Sequence, residues 1–152
     1  MVVLGLMSNG VWRKIKGRDS VPADAYPVAV RAKQFEWNMT YPGPDGALGT
    51  ADDFTVRSQL HVVVNRPTVL HATSEDVIHS FFVPQFRVKQ DVVPGMVINV
   101  WFQPTATGEY EIGCAELCGM GHYKMRARVF VHTAEEFDAW VAARAAGGGT
   151  SS

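Results

Sequence analysis

From Tyr26 onward apolar and polar residues alternate with a period of two, the pattern of strands that bury one face. Val28 and Val30 form one such run; Phe35, Trp37, Met39 and Tyr41 form a second that is out of phase with it. One extra residue near Lys33 restores the register, so a β-bulge is expected there. Leu60, Val62 and Val64 alternate again, Val97 to Phe102 is a nearly continuous apolar run, and Tyr110, Ile112 and Cys114 fall on one strand face. Many short strands punctuated by Pro and Gly predict an all-β, Greek-key β-sandwich. The pattern changes at Thr133. Thr133 and Glu136 have capping-box spacing, and Phe137, Trp140 and Val141 make an apolar stripe. Gly147, Gly148 and Gly149 follow, so a short C-terminal helix is expected to end in a Gly/Ser-rich tail.

With 152 residues and 47% hydrophobic content the chain can bury one core. A net charge of −1, without a long basic run, argues against nucleic acid as a partner. The longest N-terminal apolar run, Val2 to Met7, falls far short of the roughly twenty residues a spanning helix needs. Arg13, Lys14 and Lys16 follow that run instead of preceding it, which is not the layout of a signal peptide.

The chemistry is concentrated in Cys114-Ala-Glu-Leu-Cys118-Gly-Met-Gly-His122-Tyr-Lys-Met125. Thiolate and thioether are soft ligands and imidazole suits copper, whereas a structural zinc site wants four Cys or His and has no use for Met. A blue-copper loop carries one Cys; this one carries two. Thiolates four residues apart can bridge two copper ions, each of which then needs its own imidazole. His122 supplies one, and His79, a lone polar ring in Val77-Ile78-His79-Ser80-Phe81, is the candidate for the other. The alternatives from these residues are a Cys114–Cys118 disulfide, a thiol-disulfide oxidoreductase and a zinc module.

At this point the chain resembles the copper domain of cytochrome c oxidase subunit II, which carries the binuclear CuA centre on a cupredoxin fold. The resemblance rests on Asp76 to Gly95, on Trp101 to Met125 and, more loosely, on Gln34 to Gly43, within about three quarters of the chain. It implies Cys114 and Cys118 as bridging thiolates, His79 and His122 as one imidazole per copper, Met125 as a weak axial ligand and Glu116 as a ligand through its backbone carbonyl. It also implies a membrane-anchored subunit on the outer, periplasmic face of a bacterial membrane. There the domain takes electrons from cytochrome c, or from a fused cytochrome c domain, and passes them to haem in subunit I. The whole enzyme is an oxidoreductase and proton translocase with oxygen as final acceptor, and this domain only transfers electrons. A rival, the CuA domain of nitrous-oxide reductase, shares the ligand types; the Glu116 to His122 loop and Lys89 to Gly95 favour the oxidase.

On this reading residues 1–24 are the clipped end of a membrane helix plus a linker, with an amphipathic surface helix as the alternative. Residues 25–135 are the copper domain, and 136–152 the C-terminal helix and tail. Some relatives carry a cytochrome c domain after such a tail, but no C-x-x-C-H is present here. In the family the Glu116 side chain binds magnesium at the contact with subunit I, the alternative being a solvated loop carboxylate, and Asp91 matches an acidic position used in docking cytochrome c, the alternative being a turn carboxylate. Relatives commonly place two Trp in the aromatic stretch, the first accepting electrons; here Phe35 holds the first position and Trp37 the second, so the entry residue stays open between them, and the alternative for either ring, the expected one for Phe35, is filling the core. Asp45, Asp52 and Asp53 bracket Gly turns and could hold calcium, but they complete no EF-hand, and a solvated hairpin turn is expected. His61, His71, His132, Met7, Met39, Met96 and Met120 lack ligand context and are expected to be structural.

Overall fold

In the computed structural model, residues 1–16 and 20–146 are described. Ten strands follow an N-terminal helix α1 (Val2–Lys16). They are β1 (Tyr26–Lys33), β2 (Glu36–Tyr41), β3 (Phe54–Arg57), β4 (Gln59–Val63), β5 (Thr68–Ser74), β6 (His79–Val83), β7 (Val88–Val92), β8 (Ile98–Phe102), β9 (Gly108–Cys114) and β10 (Arg126–His132), and α2 (Ala134–Ala146) closes the chain. One five-stranded sheet has the order β3-β2-β1-β5-β8 and the other β4-β10-β9-β6-β7. β1 pairs parallel with β5, and β10 parallel with β4, although neither pair is consecutive. The chain must therefore cross between sheets, as a Greek key requires. The expected all-β sandwich with a short C-terminal helix is the observed architecture.

The inner faces follow the period-two pattern. Val28, Val30, Ala32, Trp37, Met39 and Tyr41 from one sheet meet Leu60, Val62, Phe81, Ile112, Val129 and Val131 from the other, all buried. The phase break near Lys33 is a hairpin and not the expected bulge: β1 and β2 are separate antiparallel strands joined through Gln34 and Phe35. Ala32 lies opposite Trp37 and Val30 opposite Met39, so even positions of one strand share a face with odd positions of the next. Of the apolar run Val97 to Phe102, Ile98–Phe102 form the edge strand β8, in which only alternate residues, Val100 and Phe102, are buried.

The capping box of α2 forms in both directions: Glu136 Oε2 accepts the Thr133 N–H at 2.9 Å, and Thr133 Oγ1 accepts the Glu136 N–H at 3.3 Å. Phe137 and Trp140 pack on Tyr26, Tyr41 and Phe54, closing the end of the sandwich where β1 begins and β10 ends. The ligand loop sits at the opposite end. The proposed helix stop at Gly147 to Gly149, with the tail after it, lies outside the described residues. No described helix is long and apolar enough to cross a membrane. α1 leaves Met7, Val11, Trp12 and Ile15 exposed.

Candidate metal centre

Three strand ends converge on the site. His79 is the first residue of β6, Cys114 the last of β9, and Met125 immediately precedes β10. Pairing of Phe81 with Cys114, and of Arg126 with Gly113, fixes these ends side by side. Between them the loop closes through a single 3-10 turn, His122–Lys124. Backbone bonds from Cys114 N to Met125 O (3.2 Å) and from Met125 N to His122 O (3.1 Å) pin its two ends.

Every group expected to hold copper is brought together. Cys114 Sγ lies 3.8 Å from Cys118 Sγ, 3.9 Å from His79 Nδ1 and 3.2 Å from the Glu116 carbonyl oxygen. Cys118 Sγ lies 3.5 Å from His122 Nδ1 and 3.7 Å from Met125 Sδ. Each sulfur thus has its own imidazole, and one further donor, a carbonyl or a thioether, stands beside each. Both thiols are free, at a separation far beyond the roughly 2.05 Å of a disulfide. A single tetrahedral zinc would leave the thioether and the carbonyl without a role. Two thiols, two imidazoles and a thioether make a soft donor set that fits copper.

His79 and Met125 are fully buried and Cys118 nearly so, whereas Cys114 and His122 are half-buried. Burial, with Cys114 alongside, pushes the Cys118 thiol up to about 11. A metal binding there must displace its proton.

Around these donors lies a ring of groups that sequence reasoning did not assign. Asp76 Oδ1 accepts a hydrogen bond from His79 Nε2 at 2.8 Å, and Asp76 Oδ2 accepts the Gln34 N–H at 2.7 Å. Burial raises the Asp76 carboxyl, but the bonds from Gln34, His79 and Val77 outweigh it and hold the group below the usual carboxylate range. The Gln34 side-chain amide donates to the Cys118 carbonyl oxygen at 2.6 Å. Asp76 stands three residues before His79, and that D-x-x-H spacing was the signal available in the sequence; nothing in the sequence singles out Gln34.

Phe35 is half-buried and lies over the loop, where a Cβ at Gly121 would overlap its ring. Trp37 is fully buried, with its ring edge-on to His79 at 6.1 Å and to Phe81 at 5.7 Å. Asp91 is exposed on β7, where it accepts from Ser80 Oγ at 2.7 Å and pairs with Lys89 at 3.3 Å. The Ser80 hydroxyl and Lys89 lower its carboxyl against a smaller opposing effect of burial. The Glu116 side chain is exposed beside Leu117 and Met120, which are 80% and 97% exposed.

Away from this end, Asp45, Asp52 and Asp53 spend their carboxylates on the turn itself. Asp53 accepts the Gly49 N–H at 2.7 Å, and Asp52 accepts the Thr50 hydroxyl at 2.5 Å. His71 Nδ1 bonds Asn99 Oδ1 at 2.8 Å. His61 and His132 bond each other at 2.8 Å beneath Trp140, a pairing that only the parallel β4–β10 register reveals.

Residues 28–132 match the family described as cytochrome C oxidase subunit II, periplasmic domain. The chain belongs to this family. It is 38% identical over 144 residues to the alternative cytochrome c oxidase subunit 2 of Bradyrhizobium diazoefficiens, covering 80% of this chain and 52% of that protein. It is 39% identical over 131 residues to the cytochrome c oxidase subunit 2 of Synechocystis, covering 85% of this chain and 37% of that protein. The chain thus spans about half or less of these curated relatives. Among solved structures it is similar to the periplasmic domain of subunit II of cytochrome oxidase of Bradyrhizobium japonicum, with a TM-score of 0.72 and 29% identity, over 82% of this chain and 96% of that one. A second is subunit II captured in a mixed disulfide with a thioredoxin-like protein, with a TM-score of 0.67 and 31% identity, over 81% of this chain and 93% of that one.

Proposed function

We propose that this subunit II domain carries single electrons through a binuclear copper centre held by His79, Cys114, Cys118, His122, Met125 and the Glu116 carbonyl. The donor is cytochrome c, free or joined to the same subunit, and the acceptor is haem in subunit I of a haem-copper oxidase at the periplasmic face of the membrane. The observation that supports this most is the pair of sulfurs 3.8 Å apart, each beside its own imidazole nitrogen. When bound, the copper pair would supply a one-electron couple, held by the Cys114 and Cys118 thiolates. The chain supplies rigidity. Buried His79, Cys118 and Met125 keep water out, and anchoring at strand ends keeps the ligands in place as charge changes. With every position filled by protein donors, substrate chemistry at the site is not expected; oxygen reduction and proton translocation belong to the assembled enzyme.

Electrons enter through Phe35, because its ring is partly exposed and packs on Gly121 next to His122, while Trp37 is sealed in the core. Exposed Leu117, Met120 and Tyr123 form an apolar rim on the same loop, and Asp91 adds a carboxylate for a cationic donor. The Glu116 carboxylate binds magnesium at the contact with subunit I. A thioredoxin-like dithiol prepares the site: its thiolate attacks one sulfur of an oxidised Cys114–Cys118 pair, and its second thiol resolves the mixed disulfide, leaving two protein thiols and an oxidised partner.

Copper reconstitution tests the proposal. Two coppers per chain, intense thiolate-to-copper absorption and a paramagnetic signal shared over two nuclei are expected. One copper per chain with a blue-copper spectrum, or firm zinc occupancy, overturns it.

A further inference from the structure

We infer that Gln34 is a positioning residue for the copper centre, fastening the Cys118 loop to the His79 imidazole from outside the metal site. The inference rests on the copper reading above. A continuous chain of hydrogen bonds carries it. The Gln34 side-chain amide donates to the Cys118 carbonyl over 2.6 Å, the Gln34 backbone N–H donates to Asp76 Oδ2 over 2.7 Å, and Asp76 Oδ1 engages His79 Nε2 over 2.8 Å. No link passes through a sulfur, so the strap is complete without metal.

Each link has a chemical consequence. An ionised carboxylate only accepts hydrogen bonds, so His79 must carry its proton on Nε2. Nδ1 then presents its lone pair toward Cys114 Sγ, 3.9 Å away. At the other end, the bond to the Cys118 carbonyl restrains the loop where it is most able to pivot. The next residue, Gly119, has φ 129°, and a Cβ there would approach Gln34 Nε2 to 2.7 Å. Gln34 itself is held in the tight turn that pairs Lys33 with Glu36, so the scaffold for both contacts is the β1–β2 hairpin. A displacement of that turn moves the imidazole of one copper and a bridging sulfur together.

The copper-loaded domain and the variants Gln34→Met, Asp76→Asn and their combination test this. Gln34→Met keeps the side-chain length and the backbone N–H but removes the amide donor. All variants should hold two coppers, and either single change should speed copper loss to a chelator about 10- to 100-fold. Each should also shift the reduction potential and the copper hyperfine pattern, which a merely structural role does not move. The double variant should be little worse than the worse single one, because the strap acts as a unit. Parental release rate and potential in Gln34→Met, or independent effects in the double variant, overturn the inference. In the metal-free parent at neutral pH, nitrogen NMR should find the His79 proton on Nε2; a proton on Nδ1 overturns it as well. If Gln34→Met does not fold, Gln34→Glu, which keeps the side chain's length and polarity but puts an acceptor where the amide donated, decides the matter by the same release rate and potential. A parent that binds no copper pair defeats the electron-transfer reading, while the imidazole measurement still judges the strap.

Discussion

Cys114 and Cys118 face each other at 3.8 Å, yet one is half-buried and the other is only 3% exposed. Burial also pushes the Cys118 thiol up to about 11, so little of it is thiolate at neutral pH. Reagents and thiol partners should therefore meet Cys114 first. In metal-free protein at pH 7, alkylation followed by peptide mass analysis should show Cys114 reacting at least about tenfold faster, given its exposure. Offered the oxidised, disulfide form of a thioredoxin-like protein that lacks a resolving thiol outside that disulfide, Cys118→Ser should form a mixed disulfide as its Cys114 thiolate displaces one partner sulfur as thiolate, and Cys114→Ser should do so slowly. The reverse order of reactivity contradicts the assignment.

Met125 fills a fully buried position, with its thioether 3.7 Å from Cys118 Sγ. Leucine has nearly the same volume, so Met125→Leu should cost less than about 1.5 kcal/mol in stability. Because a thioether is a weak axial ligand that tunes the metal more than it holds it, both coppers should stay and the potential should shift. Copper analysis and voltammetry on the variant check this; loss of all metal refutes the weak axial role.

Glu116 has two proposed jobs that substitution separates. The backbone carbonyl, 3.2 Å from Cys114 Sγ, survives Glu116→Gln, whereas the exposed carboxylate does not. Copper content of the isolated domain should be nearly unchanged. In an assembled oxidase, magnesium or substituted manganese should bind more weakly, because a hard anionic oxygen is gone. Copper lost with manganese retained would reverse the two roles.

The sandwich, and the gathering of the candidate donors at one end of it, were legible because both are written locally. Alternation reports a strand's buried face, and the six candidate donor residues sit either in one loop or in one distinctive apolar stretch. What connects distant segments was not legible. The phase break at Lys33 reads equally as bulge or hairpin until β2 finds its register on β1. Gln34, Asp76 and Cys118 are separated by 42 and 84 residues along their hydrogen bonds, and polar surface residues carry no periodic signal. The His61–His132 pair likewise exists only through the parallel β4–β10 crossover.

That histidine pair sets a pH dependence remote from the candidate metal centre. His61 bonds His132 at 2.8 Å and Gln59 Oε1 at 3.3 Å, and it is stacked between Phe130 and Trp140 at 4.8 and 4.0 Å. Burial first, then the nearby His132 and Arg144, lower its pKa to about 3. His132 is lowered too, chiefly by burial and against the pull of Glu136. The folded state thus holds neutral His61, while the unfolded chain protonates it below about 6.5. Its contribution to stability is complete above that pH and is lost progressively as pH falls toward 3. Between pH 8 and pH 5 this amounts to about 2 kcal/mol from His61 alone. Paired carboxylates such as Asp76 and Asp91 have lowered pKa values, so their contributions fade only further down. Urea unfolding of the metal-free, reduced domain at several pH values should show this slope, and His61→Phe, which keeps the stacking but cannot titrate, should flatten it. An equal slope in the variant would place the pH dependence elsewhere.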